Sequence, residues 1–193
     1  MNFDALVRKR KSVRNFTSKT PKWSDILEAI DATLPGPFAG NHNHLHFLIV
    51  EDAEKISSIA QHCEQHWIKE AKILIVVCSD DTQLESIYGE RGRVYSRQQA
   101  GAAIQTLWFK LVDLGLSTCW VGSYSDELIK SLLKIPQHIQ IEAILPIGFE
   151  KKTISPKSSR RKKSLENVLF WEEWDQTKRP ALFKDSSEDY RPY

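Results

Sequence analysis

The chain has 193 residues, of which 41% are hydrophobic, and it carries a formal net charge of +2. This length suits one domain with one sizeable core, and so mild a charge does not by itself indicate a nucleic-acid-binding protein. No 18 apolar residues run together, and the charged N-terminus lacks the apolar core of a secretory peptide; we therefore expect a cytoplasmic protein with neither membrane nor nucleic acid among its partners.

The first half of the chain predicts an alternation of helices and strands. Ser24 can cap a helix with Ile26, Leu27, Ile30 and Leu34 on one side, and the turn sequence PGP at 35–37 ends it. LHFLIV at 45–50 predicts a strand, and residues 52–69 have helical spacing. ILIVVC at 73–78 is a continuous apolar run, typical of a central strand that is covered on both faces.

The second half continues the alternation. Residues 98–115 form the longest helical pattern; it is apolar on more than one face, and Gly115 is a natural stop. STCWVGSY predicts a short strand or turn, Ser125 can cap a helix through Leu133, and IEAILPIGF predicts another strand. Together the elements indicate an α/β or α+β sandwich.

The three cysteines are odd in number, widely spaced and set in apolar patterns. These features favour reduced core thiols over disulfides or a CxxC metal site. We therefore expect free, buried thiols at Cys63, Cys78 and Cys119.

Two further segments bear on function. In NHNHLHF at 41–47 a strand would point His42, His44 and His46 to one face, where three imidazoles could bind zinc; a polar loop leading into a strand is the alternative. The segment 151–163 holds seven Lys or Arg and no acid, which fits a solvated linker, a phosphate clamp or a nucleic-acid patch.

Four segments resemble motifs of the FMN-dependent nitroreductase family. They are RKRKSVRNF at 8–16 (family RRSxRxF), PFAGNHNHLHF at 37–47 (PSxxNxQPWxF), QQAGAAIQTLWFKLVDLGLSTCWVGSY at 98–124 (aGaAiQnlllaAxxlGLgTcWiG), and LPIGF at 145–149 (LPxGY) with the following RRKKSLENVLFW. Their order and spacing carry the resemblance more than any single motif. Phe38 stands where the family often has Ser, His44 and Leu45 replace Pro-Trp, and Gln99 replaces a frequent Asp.

The resemblance implies an α+β fold, a three-layer α/β sandwich in which a mostly antiparallel sheet is flanked by helices. Residues 1–170 would form a single FMN-binding domain, and 171–193 a C-terminal arm that packs on a partner subunit. Members of the family are homodimers that bind FMN at the subunit interface. The resemblance also weakens the metal hypothesis, because it makes His42, His44 and His46 substitutions within a loop that lines the flavin.

The resemblance also implies a set of cofactor-binding residues. The phosphate would be bound by Arg10, Lys11, Ser12 and Arg14, with Arg160 and Lys162; Arg forks at alternate positions suit phosphate oxygens. The remaining flavin contacts would be Pro37, Phe38, Ala39, Asn41, Asn43, Pro146, Ile147 and Gly148. Arg14 would favour negative charge near N1, and the Gly148 backbone N–H would face N5, although a tight strand turn also explains this glycine. Flavin N5 carries the hydride, so no catalytic side chain is required.

The function so implied is ping-pong electron transfer from NADH or NADPH to a nitroaromatic, quinone or flavin-type acceptor. Alternatives within the family are a reductive dehalogenase and an azoline oxidase. Two alternatives lie outside the family. One is a non-enzymatic nucleic-acid binder that uses the basic clusters at 8–11 and 160–163, and the other is the metal enzyme. His42 and His44 are candidates to line the acceptor pocket.

Overall fold

A computed structural model describes residues 1–151 and 165–178 of the chain. The chain divides into two compact units, Met1–Lys152 and Thr153–Tyr193. The domain boundary expected at residue 170 and the partner-packing arm stay predictions. Arg160 and Lys162 lie outside the described residues.

The described part of the first unit contains the following helices and strands. They are α1 (Phe3–Lys9), α2 (Trp23–Asp31), β1 (Leu45–Val50), α3 (Ala53–His62), β2 (Ile73–Ser79), α4 (Thr82–Tyr88), α5 (Glu90–Asp113), β3 (Ser117–Thr118), α6 (Asp126–Leu133) and β4 (Gln140–Gly148).

The sheet has the strand order β1-β2-β4-β3, and every neighbouring pair is antiparallel. Strand β2 is central and buried along its whole length, as the run ILIVVC predicts. Its side chains alternate between two cores: Leu74 and Val76 enter one, and Ile73 and Ile75 enter the other. The α+β class with an antiparallel sheet is therefore confirmed.

Helices cover both faces of the sheet, which gives the expected three layers. On one face α3 and α6 contribute Ile59 and Ile129 to the core. On the other face α2 contributes Ile26, and α5 contributes Ile104 and Leu107. Helix α5 therefore packs as a core helix, since apolar residues on several of its faces meet different neighbours.

The helix boundaries correct three predictions. Helix α2 begins at Trp23 with Lys22 as its N-cap residue, so Ser24 lies inside the helix and does not cap it. The helix predicted over 52–69 ends at His62, because Glu64 adopts a positive φ of 54°, and a separate 3₁₀ helix, His66–Glu70, follows. Helix α5 begins eight residues before the predicted start at residue 98.

The end of α5 agrees with the sequence. Gly115 adopts a φ of 79°, a conformation that glycine accepts without a Cβ penalty. The N–H of Leu116 donates to the carbonyl of Leu111 at 2.8 Å, and the N–H of Gly115 donates to that of Val112 at 3.1 Å. These are the two hydrogen bonds of a Schellman motif, which satisfies carbonyls left over at a helix end.

Cys63, Cys78 and Cys119 are buried with free thiols, as expected. Burial raises the pKa of the Cys63 thiol to about 11, so this group stays protonated at neutral pH. Across the described ranges, no helix combines the length and the apolar character that a bilayer span needs.

A buried polar network joins α5 to one end of the sheet. A β-bulge between β2 and β4 leaves Glu142 without a partner in the strand register. Arg97 of α5 pairs with Glu142 and with Asp81, the latter at 2.6 Å. The Ser79 hydroxyl lies 2.5 Å from Glu142 and 3.0 Å from Asp81, and Ser96 donates to Asp81 at 2.6 Å. The network therefore holds the polar first half of α5 against the sheet.

The second unit is described at residues 165–178. A single 3₁₀ turn, Leu165–Asn167, opens this stretch. The rings of Phe170 and Trp174 lie 4.8 Å apart, and the N–H of Trp171 donates to the carbonyl of Gln176 at 2.7 Å. This stretch is thus held by local contacts.

Arg97→Met should lower the free energy of unfolding by about 3 kcal/mol, because two nearly buried carboxylates lose their ion-pair partner. Water replaces part of that interaction, since the Arg97 side chain is itself 42% exposed. Arg93→Met is the matched control: Arg93 lies on the same helix and pairs with the partly exposed Glu85, so the expected change is within about 0.5 kcal/mol. Urea denaturation of both variants measures the difference, and equal losses would contradict the role assigned to the network.

Candidate functional site

The N-terminal segment lies along the edge of the sheet beyond the end of β4. The N–H of Val13 donates to the carbonyl of Thr118 at 3.0 Å, and the N–H of Thr17 donates to that of Phe149 at 2.9 Å. Val13 and Phe16 are buried, whereas Arg14 between them is exposed. The buried Val13 and Phe16 thus anchor the segment, and the Arg14 side chain faces outward.

Two arginines of this segment rest on indole rings. The guanidinium carbon of Arg10 lies 4.7 Å from the ring centroid of Trp108, and that of Arg14 lies 5.9 Å from the ring of Trp67. Such cation–π contacts restrict the rotamers of long side chains. Lys11 instead forms an ion pair with Glu150 at 2.6 Å.

Ser12 and Arg14 influence the pKa of a buried thiol, that of Cys119. Burial raises the pKa of Cys119, while the positive charge of Arg14 and a hydrogen bond with Ser12 oppose that rise. Arg10, Lys11, Ser12 and Arg14 are named the N-terminal group below. The structure brings these four predicted residues to one edge of the sheet, beside β3 and the end of β4.

Gly148 ends β4 beside this group. A Cβ atom at Gly148 would lie 2.9 Å from Cδ1 of Phe16, so the ring of Phe16 takes the space that a side chain would need. A left-handed conformation does not explain this glycine, because its φ is not among the positive values. Pro146 and Ile147 are buried within the sheet, so their side chains face the protein interior.

A second group of predicted residues lies in the loop before β1. Pro37, Phe38, Ala39, Asn41 and Asn43 are named the loop group below. Gly40 and Asn41 both adopt a φ of 59°, and the Asn43 side chain accepts the Leu45 N–H at 3.1 Å. The N–H of Ala39 donates to the side chain of Gln99 at 3.2 Å. Gln99 thus holds the loop on α5, a role that the sequence did not indicate.

Three residues of the loop group, Pro37, Phe38 and Ala39, line a cleft of about 420 Å³. Its lining consists of Pro37, Phe38, Ala39, Tyr95, Gln98, Gln99 and Ala102. Apolar and aromatic side chains with a few polar groups, here the amides of Gln98 and Gln99, are typical of the lining of a small-molecule pocket. The aromatic Tyr95 was not predicted, since it lies in the part of α5 that shows no helical apolar period.

The three histidines do not form a cluster. Only His46 belongs to β1, where it is exposed, while His42 is half-buried in the loop. His44 is buried; its ring lies 6.2 Å from that of Phe38, and among the described residues neither ring nitrogen has a hydrogen-bond partner. The structure therefore matches the alternative reading of this stretch, a polar loop that leads into a strand. The described ranges hold no set of three or more His, Cys, Asp or Glu that could bind a metal.

A second cleft, of about 450 Å³, lies at the polar network. Arg93 and Arg97 both line it, and both are paired with carboxylates. The charges in this cleft are therefore accounted for by contacts within the chain.

The N-terminal group and the loop group lie at opposite ends of the sheet. The loop group precedes Leu45, which is opposite Ser79, and Ser79 is opposite Gln140 at the start of β4. The N-terminal group lies beyond Gly148 at the end of β4. Strand β4 runs eight residue steps from Gln140 to Gly148. At about 3.3 Å a step, the two ends of the sheet are roughly 26 Å apart. One chain therefore does not bring the two groups into one pocket.

The chain resembles proteins of one family throughout most of its length. A sequence model described as the nitroreductase family matches residues 7–72 and 58–149. A protein of Methanothermobacter thermautotrophicus named "Putative NADH dehydrogenase/NAD(P)H nitroreductase" is 28% identical over 148 residues, which cover 74% of each chain. An iodotyrosine deiodinase of Thermotoga neapolitana is 24% identical over 160 residues, which cover 75% of this chain and 86% of the deiodinase.

Solved structures share the fold. A nitroreductase family protein from Clostridium difficile 630 superposes with a TM-score of 0.78 at 20% identity, covering 90% of this chain and 99% of that one. An iodotyrosine deiodinase bound to FMN and 3-iodo-L-tyrosine gives a TM-score of 0.72 at 23% identity, covering 84% and 96%. The family match spans more than half of the sequence, and the three-layer antiparallel fold agrees with it: the chain belongs to the nitroreductase family.

Proposed function

We propose that the protein is an FMN-dependent oxidoreductase that transfers electrons from NADH or NADPH to a nitroaromatic, quinone or flavin-type acceptor by a ping-pong mechanism. The observation that carries the proposal is the N-terminal group: Arg10, Ser12 and Arg14 belong to one segment, whose backbone lies along the sheet edge beside Gly148. Membership of the nitroreductase family and the FMN-bound structure of a relative support it. The nicotinamide co-substrate is supported by the name of the archaeal relative.

The side chains of the N-terminal group fit a flavin phosphate. Guanidinium forks and a hydroxyl are the donors that phosphate oxygens accept. Because Arg10 and Arg14 already lie on the rings of Trp108 and Trp67, less rotamer freedom is lost when they bind an anion. Lys11 adds positive charge nearby, although its ammonium is shared with Glu150.

When bound, FMN supplies the two-electron redox chemistry, which the protein tunes by hydrogen bonds and charge. In this proposal Asn41 and Asn43 bind the ring or ribityl side, and the positive charge of Arg14 favours negative charge near N1. The backbone N–H of Gly148 would face N5, and Pro37, Phe38 and Ala39 would exclude water from the ring.

The separation of the two groups supports a homodimer. If one flavin contacts both, a second copy must supply the loop group, since the two ends of one sheet lie roughly 26 Å apart. Helix α1 supports an association surface, because none of its side chains is buried, and Phe3 and Val7 are 67% and 45% exposed.

A reductive dehalogenase is the second candidate. The similarity to two iodotyrosine deiodinases, one by sequence and one by structure, favours it over an azoline oxidase. The two candidates share the flavin and differ in the acceptor, so reduction of nitroaromatics and of halogenated phenols by the same sample separates them.

The visible absorption spectrum of the purified protein tests the cofactor and the first half-reaction together. We expect a flavin spectrum that bleaches on anaerobic addition of NADH or NADPH and returns when an acceptor is added. A colourless protein that does not bind added FMN would contradict the proposal.

Arg14→Gln should weaken FMN binding about ten- to a hundredfold, because FMN loses a charge-assisted hydrogen bond. Arg8→Gln is the matched control: Arg8 is an exposed arginine on α1 that lies outside the proposed site, and we expect little change in affinity. Fluorescence titration of the FMN-free proteins measures both. An equal loss of FMN affinity in the two variants would show that binding depends on overall positive charge, and would contradict the role assigned to Arg14.

Mixed dimers test the shared site. Arg14→Gln damages the N-terminal group, and the double variant Asn41→Asp, Asn43→Asp removes the amide donors of the loop group while position 43 can still accept the Leu45 N–H. Each variant alone should lose FMN. A dimer of one copy of each, purified with two affinity tags, should regain about one flavin, because both lesions fall in one site and the other site is intact. A mixed dimer without flavin would contradict sharing, as would a monomer by light scattering.

A further inference from the structure

The cleft beside the loop group has two aromatic walls. Phe38 of the loop and Tyr95 of α5 both line it, and Tyr88 packs edge-on against Tyr95 with ring centroids 5.3 Å apart at 81°. The contact with Tyr88 therefore helps to fix the orientation of the Tyr95 ring. Planar ring surfaces of this kind favour an aromatic ligand, which they contact by stacking or by edge-to-face packing.

The polar groups that line the cleft are neutral. The amides of Gln98 and Gln99 line it, and none of the lining residues is charged. The Gln99 side-chain oxygen already accepts the N–H of Ala39, so its NH₂ remains as a donor. No carboxylate in the lining would repel a negatively charged ligand.

Arg91 lies next to one wall of this cleft, the ring of Tyr95. It is four residues before Tyr95 on the same face of α5, and its guanidinium carbon lies 5.8 Å from the Tyr95 ring centroid. Within the described parts of the chain Arg91 makes neither a hydrogen bond nor an ion pair, whereas Arg93 and Arg97 are both paired with carboxylates. Its five N–H donors are thus available to an anion.

We propose that this cleft selects an aromatic acceptor that carries an anionic group, with its ring against Phe38 and Tyr95 and its anion at Arg91. The inference rests on the proposed function, since it names the acceptor class of that reaction. Neutral quinones and neutral nitroaromatics share the ring contact and lack the contact with Arg91.

Calorimetric titration of the protein with added FMN measures the preference without turnover. Benzoate and benzamide present the same ring and differ in charge. We expect benzoate to bind about three- to tenfold more tightly, the effect of a partly exposed ion pair with hydrogen bonds. The preference should shrink at high ionic strength, because Arg91 is exposed. Equal affinities at low ionic strength overturn the inference.

Four variants locate the preference. Arg91→Gln should weaken benzoate binding alone, and Arg91→Lys should retain most of the preference. Arg93→Gln, which removes the same charge two residues away on another face of α5, should leave the preference intact. Tyr95→Ala should weaken both ligands by a similar factor, since it removes the ring contact. An unchanged benzoate affinity in Arg91→Gln, or an equal loss in Arg93→Gln, overturns the assignment.

Failure of this inference is distinguishable from failure of the proposed function. A sample that shows a flavin spectrum and bleaches with NADH or NADPH, and yet binds benzoate and benzamide equally, overturns the acceptor class alone. The acceptor class can also be tested by turnover. The ratio of kcat/KM for 4-nitrobenzoate to that for 4-nitrobenzamide should be about three- to tenfold lower in Arg91→Gln than in the unmodified protein. A ratio that does not change in this variant also overturns it.

Discussion

Burial of β2 on both faces is the constraint on which the rest of the molecule depends. A strand that gives alternate side chains to two cores cannot present a polar group to solvent along its length. The helices on each face must therefore be apolar toward the sheet, and side chains capable of chemistry collect at its two ends. The polar network and the loop group lie at one end, and the N-terminal group at the other.

The two ends are built by different physical means. At the Ser79 end, polar side chains satisfy one another: a bulge releases Glu142 from the strand register, and Arg97 bridges it to Asp81. At the Gly148 end, the backbone of the N-terminal segment continues the sheet, and buried anchors such as Phe16 fix which side chains face outward. Ion pairs hold the Ser79 end and backbone pairing holds the Gly148 end, so salt should weaken the contacts at the Ser79 end more.

The sequence predicted those parts whose cause is local. The apolar run of β2 and the glycine that ends α5 both appear where their patterns indicate. Helix α4 and the first turns of α5 were missed because they are polar; they depend on long-range contacts such as that of Arg97 with the sheet. Helix α1 was not predicted, although Asn2 is of a residue type that favours the N-cap and accepts the N–H of Ala5. Family motifs named the residues of the N-terminal and loop groups, yet no motif spacing reveals that a single chain holds them at opposite ends. The contact of Arg91 with Tyr95 lies in the same unpatterned stretch.

The distance between the two groups ties retention of the cofactor to protein concentration. If a flavin contacts the N-terminal group of one copy and the loop group of another, it binds only the associated form and stabilises that form by mass action. Dilution then releases flavin and subunits together, and saturating flavin keeps the subunits together at lower concentration. The yellow colour of a stock solution would in that case report assembly as well as cofactor content. A variant that associates poorly would then bind flavin poorly, even with every side chain of the N-terminal group intact.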